Sequence, residues 1–168
     1  MPTEISGSTG VDKIQDGTVV AGDLAGSVAL GKVLQVVSGT STGSTSTTSQ
    51  SYVASNLAAT ITPTSTSSKI YINVTAFIQQ AAEQNHCTMT IYRDSTDLAA
   101  SYSKGFGNWY SSTGGFTELF ASASHLDSPS STSAITYKIY IKTENSNSAM
   151  YIGSTARRQT ITLMEIAG

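Results

Sequence analysis

A chain of 168 residues with two histidines and one cysteine offers few places for chemistry. His86 adjoins Cys87 in HCTMTIYRD, a run whose alternation predicts a strand. Neighbours on a strand point to opposite faces, so this pair cannot act as joint ligands. His125 and Asp127 stand two apart, as a base and an orienting carboxylate would, yet no nucleophile stands out among dozens of hydroxyls. A surface or turn histidine is the expectation. No HxxH, HExxH or CxxC spacing supports a zinc site. Asp94 and Asp97 lack the series of oxygen ligands that a calcium loop needs, and Asp94 is expected to cap the turn backbone. Glycoside hydrolysis needs two carboxylates facing across a cleft, and nothing places Glu118 and Glu144 that way. The chain is therefore read as non-enzymatic, with no cofactor and no metal. Asn73-Val74-Thr75 matches a glycosylation sequon, which on a strand reads as an outward polar residue.

Recognition has a better candidate. KGFGNWYSSTGGF, Lys104 to Phe116, crowds glycines and aromatic residues into one segment, read as a loop that presents Phe106, Trp109 and Tyr110 beside Asn108. Rings that stack on apolar patches, flanked by polar groups that fix orientation, suit a carbohydrate or a protein surface. The plainer reading has Trp109 plugging the end of a sandwich or a subunit contact.

These residues need a scaffold, and composition limits which. Charged residues are 12% of the chain and hydrophobic ones 39%, while serine and threonine supply nearly a third. Such a surface stays soluble through hydroxyls rather than ionic repulsion. A net charge of -2, with Arg157-Arg158 the one adjacent basic pair, gives no footprint for nucleic acid. No apolar run is long enough to span a membrane, and no signal-peptide pattern opens the chain. Cys87 excludes an internal disulfide and reads as a small apolar filler.

Three zones follow. Residues 1–32 hold short apolar patches between glycines and aspartates, with one weak helix-like piece from Ala21 to Leu30 that Asp23 could cap. A segment this long without a core of its own is expected to contact another subunit or a larger assembly. Residues 33–50 begin with a strand, KVLQVVS, and continue into SGTSTGSTSTTSQ, which suits either a flexible linker or a long hairpin arm or extended β segment. Residues 51–168 read as all-β. SYVASNLAATITP predicts two short strands. SSKIYINVTAFI alternates with Ile70, Ile72, Val74, Ala76 and Ile78 on one face, and AITYKIYIKT does so with Ile135, Tyr137, Ile139 and Ile141. FTELFASA, AMYIGS and ITLMEI complete the set. In the turn LDSPSSTS, Leu126 is expected to tuck inward while Asp127 and Ser128 serve the turn backbone.

Strands without interleaved helices predict an antiparallel β-sandwich, jelly-roll-like because no Cys…Trp…Cys spacing marks an immunoglobulin core. ITLMEI is apolar on both faces, so neither face should meet water. Tyr71, Phe77, Tyr92, Met164 and Ile166 on second faces therefore predict an oligomer interface.

Taken together, SGTSTGSTSTTSQSYVASNLAATITPTSTSSKIYINV, LDSPSSTSAITYKIYIKT and the terminal ITLMEI resemble a family of bacteriophage virion structural proteins, the tail-fibre and fibre-like domains of phages of aquatic bacteria. The resemblance covers about residues 33–166, and VDKIQDGTVVAGDLAGS is similar to the stretch that precedes such domains. It implies a homotrimeric β-rich knob on the virion exterior, made in the bacterial cytoplasm. The N-terminal arm would fasten it through Ile14, Val19, Val20, Leu24 and Leu30. Only about thirty residues precede the β domain, where family members carry long shafts. Two placements follow. One is a capsid decoration (cement) trimer bound to the major capsid protein. The other is a short tail fibre or collar appendage, bound to a tail or collar protein, whose knob meets a host-surface glycan or protein.

Overall fold

The computed structural model describes residues 32–80, 85–111, 117–146 and 148–168. The chain divides after Gly31 into two units, and only the second, Lys32–Gly168, falls among them. The anchoring residues Ile14, Val19, Val20, Leu24 and Leu30, and the helix-like piece, lie outside the described residues.

Eleven strands run in order among the described residues: β1 (Val33–Ser41), β2 (Thr45–Thr47), β3 (Val53–Ile61), β4 (Lys69–Gln80), β5 (Asn85–Arg93), β6 (Thr96–Asp97), β7 (Gly107–Ser111), β8 (Thr117–Asp127), β9 (Ile135–Thr143), β10 (Met150–Ile152) and β11 (Gln159–Ile166). One sheet carries β1-β11-β4-β8, with β10 and β2 continuing it beyond the end of β11. The other carries β3-β9-β5, with β6 and β7 sharing the outer edge of β5. All pairings are antiparallel.

Setting aside the short β2, β6 and β10, eight strands remain. Their pairings nest: the first with the last (β1–β11), the second with the seventh (β3–β9), the third with the sixth (β4–β8), the fourth with the fifth (β5–β7). A long hairpin rolled over itself gives this order, which is that of a jelly roll. The expected all-β, jelly-roll-like antiparallel sandwich is the fold observed.

The core lies between the sheets and is built by alternation. Ile70, Ile72, Val74 and Ala76 of β4 meet Tyr137, Ile139 and Ile141 of β9, with Cys87, Met89 and Ile91 of β5 and Ile161 and Leu163 of β11 around them, all buried. At one margin the sheets approach closely. Gly39 of β1 faces inward opposite Ile161, and a Cβ added there would lie 1.9 Å from the Ala58 carbonyl oxygen of β3.

Several sequence expectations need correction. SYVASNLAATITP forms one strand, β3, with a register shift between Ala54 and Ala58 where two strands were expected. The Ser/Thr-rich run, for which a linker and an arm or extended β segment both stood open, is drawn into the sandwich: β1 extends to Ser41, and β2 pairs with β10. Leu126 does not tuck inward. It is 50% exposed, and Asp127 is the buried residue. The parity of β8 decides this: Ala121 and Ala123 face the core, so Asp127 does too, and Leu126 must face out.

Candidate functional site

The aromatic segment is not a single loop. Gly107–Ser111 is strand β7, paired with β5, and residues 112–116 lie outside the described residues. Strand alternation then separates the expected contact residues. Trp109, paired with inward-facing Cys87, packs half-buried against the core, with its ring over Gly107. Asn108 and Tyr110 face the other way. The Asn108 amide donates to the Thr88 hydroxyl (2.8 Å) and the Cys87 carbonyl, while its Oδ1 lies 2.7 Å from His86 Nδ1. That assignment puts the proton on His86 Nδ1. Tyr110 lies over the His86 ring, centroids 4.7 Å apart. Phe106 alone of the four lines an open cavity, beside Leu98, Tyr102 and His125.

The candidate catalytic pairs do not assemble. His125 meets the edge of the Phe106 ring, while Asp127 is held elsewhere. Arg93 Nη1 donates to both Asp127 oxygens (2.9 and 3.0 Å), and the buried Tyr137 hydroxyl donates to Oδ2 at 2.7 Å. Burial first, then this hydrogen bond and the Asp127 charge, push the Tyr137 pKa upward. The cluster ties β8 of one sheet to β5 and β9 of the other. Asp94, at φ 50, accepts the backbone N–H of Thr136 on β9, a contact to the neighbouring strand where a cap of its own turn was expected. Asp97 accepts from Thr90 and from the Ala99 backbone. Burial pushes the Cys87 thiol up to about 12, which keeps it protonated and inert at neutral pH. Glu118 pairs with Arg157 and Glu144 with Lys104. Among the described residues no three His, Cys, Asp or Glu side chains gather as metal ligands would.

The outer face of the β1-β11-β4-β8 sheet is organised more strongly. Its register sets Val36, Met164, Tyr71 and Leu126 side by side in one row across four strands. The next row is Ser38, Thr162, Asn73 and Ser124, and the one after it Thr40, Thr160, Thr75 and Ser122. None of these twelve residues is charged. Val36 is 57% exposed, and Val33 and Leu34 at the start of β1 are exposed as well. Beyond the hydroxyl rows Phe77 packs edge-on against Phe120, with the Arg157 guanidinium 4.1 Å from its ring centroid.

Tyr71, Met164 and Ile166 therefore share this face, and Phe77 lies on it but is covered within the chain. Tyr92 lies on the opposite side of the sandwich, stacked on Tyr140 (centroids 4.0 Å apart) and edge-on to Tyr52. Burial, Asp97 and the Tyr92 ring hydroxyl raise Tyr52 to about 12. Val36 and Leu126 were missed from sequence. Val36 belongs to a row visible only once β1 is paired, and Leu126 looks like core until the register of β8 is known.

No protein-family model matches the chain, and no curated protein matches it. Among solved structures, it is similar to the D431N mutant VP2 protein of infectious bursal disease virus, in T=1 particles derived from it. The TM-score is 0.43 with 14% sequence identity, over 78% of this chain and 36% of that one. The chain thus spans about a third of the length of that protein. So loose a likeness carries nothing about role, and the jelly-roll order rests on the strand pairing of this chain itself.

Proposed function

We propose that this chain is a non-enzymatic structural protein on the exterior of a bacteriophage virion: a capsid decoration trimer, bound to the major capsid protein through its N-terminal arm. The observation that carries the structural role is the twelve-residue charge-free patch on the outer face of the β1-β11-β4-β8 sheet, bordered by Lys69 and by the Glu118–Arg157 pair. Leaving Val36, Tyr71, Met164 and Leu126 in a continuous apolar row in water is unfavourable, and a partner relieves it. Interface cores are depleted of charge and rich in Tyr and Met, as this row is. The hydroxyl rows beside it offer donors and acceptors without the desolvation cost of buried charge. Three copies meeting through this face would form the trimer, leaving residues 1–31 to reach the particle.

A short tail fibre or collar appendage is the second reading, favoured by the aromatic cavity at Phe106. Imaging of the intact particle separates them. Density over the capsid lattice selects decoration, and density at the tail vertex selects the fibre. Sedimentation of the purified chain at micromolar concentration is expected to give a trimer, and a monodisperse monomer would overturn the assembly reading.

A further inference from the structure

At the margin where β8 ends one sheet and β6 and β7 end the other, an open cavity of about 360 Å³ is lined by Leu98, Ala99, Tyr102, Gly105, Phe106 and His125. Its wall is built before any ligand arrives. Leu98 N donates to the Ile91 carbonyl (3.0 Å) and Phe106 N to the Met89 carbonyl (2.9 Å), so both ends of the connection are bonded to β5. Between them Ala99 N donates to Asp97 Oδ1, Tyr102 N to the Ala99 carbonyl and Gly105 N to the Tyr102 carbonyl. Gly105 completes the turn at φ 57, where an added Cβ would lie 2.5 Å from the Met89 carbonyl oxygen. A wall fixed in this way loses little conformational entropy on binding.

The lining has a definite chemistry. Tyr102 holds a 70% exposed ring at the rim, and its hydroxyl has no partner among the described residues. Phe106 is half-buried, with His125 edge-on to it at 5.2 Å between ring centroids. The His125 ring nitrogens likewise have no hydrogen bond among the described residues. Among the described residues no lysine, arginine, aspartate or glutamate lines the space. Two apolar ring surfaces and two unengaged polar groups, with no carboxylate, ammonium or guanidinium among the described lining, suit a ligand with an apolar face, several hydroxyls and no charge of its own. The volume lies near the lower end of the range for small-molecule sites, roughly 300–1,000 Å³, which excludes long lipids and favours one ring over an extended chain.

We propose that this cavity binds a neutral pyranose ring of a surface glycan. The carbon–hydrogen face of the sugar lies on the Phe106 or Tyr102 ring, and its hydroxyls bond to the Tyr102 O–H and a His125 nitrogen. The inference does not depend on where in the particle the protein sits. Its failure would leave the assembly reading untouched, and a monomer in solution would leave the cavity untouched.

The test is titration of the full chain, followed by amide chemical shifts, with methyl glycosides of glucose, galactose, mannose and N-acetylglucosamine, and with glucuronate and N-acetylneuraminate as anionic counterparts. At least one neutral glycoside is expected to shift the amides of residues 98–106 and 125 saturably, in the millimolar range. Tyr102→Ala, exposed enough to leave folding unchanged, is expected to weaken binding about tenfold. His125→Ala is expected to weaken it as well. Absence of shifts at these amides with every neutral glycoside, preference for the anionic sugars, or full binding by Tyr102→Ala would each overturn the proposal.

Discussion

Two carboxylates fix one end of the sandwich. Glu165 is fully buried, yet it accepts hydrogen bonds from Gln35 (2.6 Å) and from the backbone and hydroxyl of Thr64 (both 2.7 Å). Burial alone would raise its pKa. These donors, with the Ser68 hydroxyl nearby although outside hydrogen-bond geometry, outweigh burial and bring it down to about 2. A folded-state pKa below the ordinary 4.5 contributes stability that is complete above that value and is lost as pH falls from about 4.5 toward 2. Denaturant unfolding at a series of pH values should show this fall. In Glu165→Gln it should flatten, with stability at neutral pH lower by about 2 kcal/mol because charge-assisted bonds are gone. Unchanged stability and an unchanged acid slope in the variant would contradict this account of the site. At this scale the sequence misled on Asp127 and Leu126. Hydropathy favours leucine inside, but a strand offers one parity, and the alanines of β8 had already claimed it. The partners that make an inward aspartate tolerable, Arg93 and Tyr137, come from distant strands.

Strands as elements were the most legible part. The inward sets of β4, β5 and β9 follow from period-two alternation, and the structure buries the residues that alternation selects. Strand order was not legible, because partners such as Val36 and Met164 are joined only by tertiary pairing. The aromatic segment failed for a related reason: glycines suggested a loop, but pairing with β5 made Gly107–Ser111 a strand and sent Trp109 and Tyr110 to opposite faces. The outer face of the β1-β11-β4-β8 sheet carries the prediction at this scale. Met164→Lys places a charge in the middle of the apolar row, on a half-buried position that faces away from the core. Sedimentation should show loss of the oligomer, with the far-ultraviolet spectrum of the β fold retained. An oligomer that persists would move the interface elsewhere on the chain.

At the scale of the whole molecule, nested pairing closes the strands of Lys32–Gly168 on one another, and the described core residues fall within that span. Removing residues 1–31 should therefore leave a cooperatively unfolding β domain whose melting temperature moves by only a few degrees. Particle attachment should be abolished. Retained attachment of the truncated chain would refute the arm as anchor, and a chain that no longer folds would show that the core extends into the arm. Most pairings link residues far apart in sequence, so folding should be slow compared with helical proteins of this size.

The meeting of first and last strands has a practical consequence. Val33 pairs with Ile166, and the Ala167 backbone N–H donates to the Lys32 carbonyl, so both chain ends of the β domain leave from a single corner. A peptide or fluorescent protein joined after Gly168 would emerge beside Lys32, in space that the proposed anchoring contact would need. Cargo meant to be displayed outward belongs instead in a connection remote from that corner.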